Sequence, residues 1–176
     1  MATAVLGGGC FWCLEAVYDR MAGVTSVESG YMGGRIENPT YQQVCGGGTG
    51  HVEVVRVTFD SQKIGFADLL EVFFAIHDPT TLNHQGDDVG DQYRSVIFYE
   101  SEEQRQEAEK TIVALNAQHL WLNPIVTAVE PAQKFYIAEN YHQTYYANNS
   151  SQPYCQIVVG PKVKKFEKVF ASKVKR

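Results

Sequence analysis

Apolar positions along the chain change period several times, and each change marks an element. Residues 2 to 6 read as a short strand that ends in glycines. From Cys10 the apolar residues Leu14, Val17, Tyr18 and Met21 recur at i, i+3, i+4 and i+7, one face of a helix, until Gly23 stops them. Val24 to Tyr31 reads as a second strand. His51 to Phe59 alternates as a third, with Glu53 on the same face as Val55, Val57 and Phe59. Phe66, Leu69, Leu70, Phe73, Phe74 and His77 outline an amphipathic helix that ends before Asp78-Pro79. A strand follows from Arg94 to Tyr99. Ser101 with Gln104 then opens a helix running to about Leu120, whose narrow stripe of Ala108, Ile112 and Leu115 predicts a surface position. Pro124 to Val129 reads as another strand, and Val163, Phe166, Phe170 and Val174 place an amphipathic helix in the tail.

Three stretches lack either period. Residues 30 to 50 hold seven glycines in 21 positions with Tyr41 near the middle, too long for a mere connector and a candidate wall for a site. Residues 80 to 92 form a polar loop. Residues 131 to 156 carry five of the ten tyrosines with His142 and Cys155, the composition of a cover over a site. The order strand, helix, strand, strand, helix, strand predicts a split βαβ arrangement with a helix and a strand appended. The expected fold is therefore an α/β (α+β) two-layer sandwich with a mixed sheet and an irregular C-terminal segment. No repeat, low-complexity block or linker divides it, so residues 1 to 176 are expected to form one domain.

Composition adds little to that picture. A chain of 176 residues with 44% hydrophobic and 20% charged content is ordinary globular material and needs no disulfide staples for its four cysteines. The N-terminus lacks a basic segment and a long apolar stretch, no membrane span is read, and a reducing cytoplasm is the expected setting. The net charge of -5 is uneven, because residues 161 to 176 hold seven Lys or Arg against one Glu. Helical spacing of the apolar residues there favours a solvated lysine face over a nucleic-acid surface. Neither a nucleic acid nor a membrane is expected as partner, and a monomer is the expected state.

The candidate chemistry lies in Gly7-Gly8-Gly9-Cys10-Phe11-Trp12-Cys13. A thiol at a helix N-terminus meets unpaired backbone N–H groups and the positive end of the macrodipole, which favour thiolate. Phe11 and Trp12 set large apolar surfaces beside Cys10 and suit a small hydrophobic group. Glu53, on an apolar strand face, is a carboxyl that burial would keep protonated near neutral pH; the bland alternative is a strand-end glutamate reaching solvent. Cys13 reads equally as a buried small hydrophobe, and Cys10 with Cys13 as a thioredoxin-like redox pair. One C-x-x-C pair with isolated Cys45 and Cys155 argues against zinc, the glycine run lacks the lysine of a P-loop, and Asp87, Asp88 and Asp91 lack calcium-loop spacing. No metal and no cofactor are expected.

Gly9-Cys10-Phe11-Trp12-Cys13 with Leu14-Glu15-Ala16-Val17 resembles the start of the A-type peptide methionine sulfoxide reductases. The resemblance continues through Gly30-Tyr31, Gly33-Gly34, Asn38-Pro39-Thr40-Tyr41, Gly50-His51-Val52-Glu53, Gln85-Gly86, Gln92-Tyr93-Arg94-Ser95 and Glu139-Asn140-Tyr141-His142-Gln143. It implies a ferredoxin-like core and thiol-dependent reduction of the S epimer of methionine sulfoxide, free or in proteins. Cys10 would attack the sulfoxide sulfur, Glu53 would protonate the departing oxygen, Tyr41 and Tyr93 would donate hydrogen bonds to it, and Asp88 would give polar support. Phe11 and Trp12 would hold the methyl group. A sulfenic acid on Cys10 would be resolved by Cys155, which follows Pro153-Tyr154 in a mobile-looking segment and matches the family's C-terminal position, or by Cys13, tied into a helix that resists so short a bridge. Thioredoxin or another dithiol would then restore the enzyme. Gly90-Asp91 replaces the family's Gly-Thr and Asp87 adds a carboxylate, so extra negative charge is expected to disfavour the Cys10 thiolate and favour protonated Glu53. Cys45 reads as structural or secondary. The rival readings are a general thiol-disulfide oxidoreductase and a non-catalytic zinc module.

Overall fold

Ala4, Val5 and Leu6 are apolar on both faces of strand β1 (Ala2–Gly7), and this places β1 inside a sheet covered on each side. The computed structural model describes residues 1–175; Arg176, the last basic residue of the tail, lies outside the described residues. After β1 come helix α1 (Phe11–Tyr18), strand β2 (Val24–Met32), the short helix α2 (Tyr41–Cys45), strand β3 (Val52–Phe59) and helix α3 (Phe66–Ile76). A small hairpin of β4 (His84–Gln85) and β5 (Asp88–Val89) leads through a 3-10 turn at Asp91–Tyr93 to strand β6 (Val96–Tyr99). Helix α4 (Glu102–Ala117), strands β7 (Ala128–Pro131) and β8 (Tyr136–Ile137), and helices α5 (Tyr145–Asn149) and α6 (Gly160–Val169) complete the chain.

The main sheet runs β7-β6-β1-β3-β2-β8. Its four inner strands β6-β1-β3-β2 pair antiparallel, and β7 lies parallel on β6, so the sheet is mixed. Counting β1, β2, β3 and β6 as the four strands of a split βαβ pair gives the spatial order fourth, first, third, second, the ferredoxin-like arrangement that the resemblance implied. Leu6, Val55, Val57 and Ile97 meet Phe11, Leu14, Val17, Leu70, Phe73 and Phe166 from α1, α3 and α6 in the main core. Val5, Val52, Val54 and Phe98 face the other way into a smaller cluster closed by Ala132 and Phe135.

Several boundaries differ from the sequence reading, each for a local reason. The glycine-rich stretch contains α2, because the Thr40 side chain accepts from Gln43 N at 3.2 Å and the Gln43 side chain returns to Thr40 N at 2.9 Å. The strand expected from Arg94 starts at Val96, since the Arg94 guanidinium turns aside to the carbonyls of Asp91 and Gly50. Helix α4 stops at Ala117, short of Leu120, where His119 takes a left-handed conformation. The strand expected at Pro124 begins only at Ala128, because Ile125 N–H goes to Asn116 and Val126 N–H to the Pro79 carbonyl. The irregular stretch after 131 contains β8, which pairs with Gly30 and Tyr31 of β2, and α5. A Cβ at Gly30 would stand 2.6 Å from the Tyr136 carbonyl oxygen, so this pairing needs glycine. In the tail, Val163 and Phe166 are buried as expected, while Val174 lies beyond α6 and bridges to Met21. No helix among the described residues is long and apolar enough to cross a membrane.

Candidate active site

The turn into α1 is shaped by Gly9, whose φ of 89° and whose closeness to Gln85 leave no room for a side chain. Its N–H donates to the Tyr93 carbonyl at 3.2 Å, which ties the turn to the loop before β6. Cys10 follows as the N-cap residue, extended at φ −66° and ψ 130°, so it stands before the helix rather than inside it. Two orphan donors of the first turn then have distinct acceptors. Phe11 N–H donates to Glu53 Oε1 at 3.1 Å, and Trp12 N–H points to the Cys10 sulfur.

Glu53 is fully buried on β3, opposite Tyr31 of β2, and not a strand-end residue in solvent. Its pKa rises to about 8, chiefly through burial; Phe11 N–H pulls it down, and the charges of Asp88 and Cys13 push it up. At neutral pH the carboxyl is therefore protonated. Among the described residues Oε2 has no hydrogen-bond partner, and since Oε1 accepts from the helix, Oε2 is the oxygen available to carry the proton.

The two thiols at the head of α1 behave differently from a simple helix-dipole expectation. Burial pushes the Cys10 thiol well up, assisted by its hydrogen bond to Cys13 and the charge of Glu53, and the Trp12 N–H pulls the other way without prevailing. Cys13, also buried, is pulled below the usual thiol value by the hydrogen bond it receives from Cys10; burial opposes this and the Lys162 ammonium reinforces it. In the closed site Cys10 is thus the donor of the pair and Cys13 the more acidic member. Of the acidic-loop residues, Asp88 bears on Glu53 and Cys13, Asp87 is exposed and Asp91 starts the 3-10 turn.

Aromatic rings enclose this point. Phe11 is buried between Tyr31, Tyr41 and His142, at centroid distances of 5.7, 6.3 and 5.1 Å. Trp12 is half-buried, stacked on Tyr145 at 3.8 Å and 10°, with Tyr154 edge-on at 5.7 Å. Its indole N–H donates to His142 Nδ1 at 3.1 Å. Tyr41 and Tyr93 are half-buried, and burial together with the charge of Glu53 raises the pKa of each, so both remain hydroxyl donors. Tyr41 is held by its backbone N–H to Glu139 Oε2 at 3.0 Å, and Asp88 accepts from the Tyr154 hydroxyl at 2.6 Å.

Cys155 is not in a loose segment. It is fully buried at the start of a π-helical turn, Cys155–Val159, that runs into α6, and the charge of Cys13 bears on it. Cys45 is exposed one turn after Tyr41 and shares a hydrogen bond with the Tyr41 hydroxyl. Among the described residues all four cysteines are free, and no three His, Cys, Asp or Glu side chains gather as a metal site. Sequence reasoning missed the roles of His142, Tyr145, Tyr154 and Glu139 in fixing these rings. Glu15 was missed too, although a glutamate between Leu14 and Ala16-Val17, with Phe11 and Asp19 rather than a base four residues away, carried a visible signal.

Comparison with known proteins agrees with this geometry. The family model described as Peptide methionine sulfoxide reductase matches residues 2–174. The chain is similar to peptide methionine sulfoxide reductase MsrA 1 of Rhodopirellula baltica, 56% identical over 98% of this chain and 88% of the relative. It is also similar to MsrA of Chromobacterium violaceum, 54% identical over 97% of each. Among solved structures, reduced Mxr1 from Saccharomyces cerevisiae superposes with a TM-score of 0.79 at 36% identity over 88% of each chain. Mxr1 in complex with Trx2 superposes with a TM-score of 0.55 at 27% identity, over 82% of this chain and 84% of that one. With the thiol, the buried acid and the aromatic walls brought together by the same fold, the chain belongs to the peptide methionine sulfoxide reductase family.

Proposed function

We propose that this chain, acting as one catalytic unit, reduces the S epimer of methionine sulfoxide to methionine. The observation that carries the reading is Glu53, buried, protonated at neutral pH and with one oxygen unpartnered among the described residues, sharing the first turn of α1 with Cys10. A sulfoxide needs a sulfur nucleophile and an acid, because oxide does not leave unprotonated. Cys10 attacks the sulfoxide sulfur while Glu53 protonates the oxygen, and Tyr41 and Tyr93 donate hydrogen bonds to it. Phe11 and Trp12 pack the methyl group, and Asp88 holds Tyr154 over the site. The oxygen passes to Cys10 as a sulfenic acid, so the cysteine is oxidised by two electrons and the substrate sulfur is reduced by two.

Resolution starts at Cys13. Its thiol already shares a hydrogen bond with Cys10, and an N-cap cysteine followed three residues later by another has the spacing of a thioredoxin-like pair, free of the constraint that two helical positions would impose. Attack of the Cys13 sulfur on the sulfenic acid forms the Cys10–Cys13 disulfide and releases water. Cys155, on which the charge of Cys13 bears, then takes over as partner in a Cys13–Cys155 disulfide and frees Cys10. Thioredoxin or a similar dithiol is the reductant, supported by the complex of the related Mxr1 with Trx2. Such a thiol cycle belongs in a reducing compartment, and we place the enzyme in the cytoplasm.

The test is turnover of separated S and R epimers of N-acetyl methionine sulfoxide with dithiothreitol, in the intact chain and in Cys10→Ser. Turnover of the S epimer alone, lost in the variant, is expected. Absence of turnover with either epimer would transfer the assignment to a disulfide oxidoreductase.

A further inference from the structure

Among the described residues Glu15 is the one buried carboxyl that the reaction above does not use. It is 3% exposed on α1, five residues past Cys10. Its Oε2 accepts from the Ser29 hydroxyl of β2 at 2.9 Å, and the nearby backbone N–H groups of Thr144 and Tyr145 favour its charged form. Thr144 sits in the left-handed region at φ 51°, a conformation a threonine adopts only when its surroundings hold it there. A second tie reaches the same turn: Gln143 takes Ser29 N–H on its Oε1 at 2.9 Å and donates Nε2 to the Ser29 and Ala138 carbonyls. What this turn carries is the Tyr145 ring, stacked 3.8 Å from Trp12.

We propose that Glu15 is a positioning residue of the methyl pocket, holding the Thr144–Tyr145 backbone so that the Tyr145 ring clamps the Trp12 indole. This rests on the reading of Trp12 as a wall for the substrate's methyl group. Burial lifts the Glu15 pKa to about 7, against the Ser29 hydroxyl and the two backbone N–H groups, so the clamp loosens as pH falls through neutrality. Charges around it do not mask this. Asp19 on α1 adds to the rise, Arg20 is engaged with the Ala16 carbonyl and the Tyr146 ring, and Glu28 on β2 pairs with Arg56. Tyr145 and Tyr146 stand on α5, and His142 is occupied by Trp12.

Trp12 and Trp121 are the two tryptophans, so a Trp121→Phe background makes Trp12 the sole indole reporter; Glu53→Gln in that background silences the buried carboxyl at the head of α1. Without substrate, Trp12 emission is expected to titrate with a midpoint near pH 7, and Glu15→Gln to abolish the titration. Ser29→Ala removes a hydrogen bond that favours the charged form and leaves the carboxyl in place, so it should move the midpoint upward. In the otherwise intact enzyme, Glu15→Gln should raise KM about tenfold at about pH 8 with kcat within about twofold, the size expected for losing a hydrogen bond to a charged group. At about pH 6, where Glu15 is itself neutral, the two KM values should converge. Emission flat with pH, or a midpoint unmoved by both substitutions, would overturn the clamp even if S-epimer turnover is normal. Titrating emission in a chain that reduces neither epimer would instead leave the clamp standing and remove its link to methionine sulfoxide.

Discussion

Replacing Glu53 by Gln sets the chemistry of the site against its stability. The carboxyl has a pKa of about 8 in the folded chain against an ordinary value of 4.5. Because the native group holds its proton more tightly than the unfolded one, its contribution to stability is greatest in acid and falls as pH rises from about 4.5 to about 8. Linkage costs about 1.4 kcal/mol per pH unit over that interval, so going from about pH 5 to about pH 9 should cost the wild type about 4 kcal/mol that Glu53→Gln does not lose. The amide keeps an acceptor for Phe11 N–H, whose bond to Oε1 is 3.1 Å, and it leaves the buried shape almost unchanged. It cannot release a proton to the sulfoxide oxygen.

The assay pairs urea unfolding across pH with single-turnover formation of methionine. The variant should lose about 10²- to 10⁴-fold in the oxygen-transfer step, the range for removing a positioned general acid, while its stability curve stays flat where the wild type's declines. Parallel stability curves would mean that Glu53 is not protonated in the native site, and the acid role would fall with them. A variant that lost stability equally at all pH values while keeping its turnover would have the same consequence.

Cys13→Ser should still make about one methionine per chain without reductant but leave a Cys10 sulfenic acid that dimedone traps, whereas Cys155→Ser should accumulate a Cys10–Cys13 disulfide seen by peptide mapping. His77 donates Nδ1–H to the Phe73 carbonyl and meets the Ser95 hydroxyl with Nε2, and burial lowers its pKa to about 4. Its depressed value makes the wild type lose about 3 kcal/mol as pH falls from about 6.5 to about 4, a loss that His77→Gln should not show in urea titrations. Gly30→Ala should destabilise by about 1 to 3 kcal/mol by driving a methyl against the Tyr136 carbonyl, measured as a lower urea midpoint at unchanged slope.

The parts of this molecule legible in the sequence are those set by a repeating pattern. Alternation on β3 placed Glu53 inward with Val55 and Val57, and helical spacing placed α1, α3 and α6 on the core, because burial of one face needs only periodicity. The order of these elements was enough for a split βαβ sandwich with a mixed sheet, while its ferredoxin-like core came from the resemblance. What could not be read depended on single long-range contacts. The end of α4 turns on one left-handed His119, and the late start of β7 on Val126 N–H reaching Pro79, neither of which leaves a periodic trace. The Cys10 thiol was misjudged for a related reason. Its helix-terminal position is local and visible, but the burial that outweighs it depends on how the rest of the chain folds over it, which leaves no local trace.

That contest explains why the acid and the thiol share one helix end. Each of the first two N–H groups of α1 can support one anion, and the site gives Phe11 N–H to Glu53 and Trp12 N–H to Cys10. Neither donor overcomes burial, so both groups rest protonated and neutral, and the closed pocket carries no net charge from the pair to repel a weakly polar sulfoxide. When sulfur attacks, negative charge develops on the substrate oxygen and must be met within the same dry volume, where a neutral acid is worth more than a carboxylate held ready. In the proposed reaction the thiol proton of Cys10 leaves to water as the sulfur attacks, the proton that stays on the sulfenic acid comes from Glu53, and the carboxyl is left an anion still bonded to Phe11 N–H. Its negative charge then disfavours ionising Cys10 again, so a second attack must wait until the carboxyl regains its proton. Rapid-quench measurements should therefore show reprotonation of Glu53 limiting the second oxygen transfer at pH well above about 8, whereas a second transfer as fast as the first there would contradict the coupling.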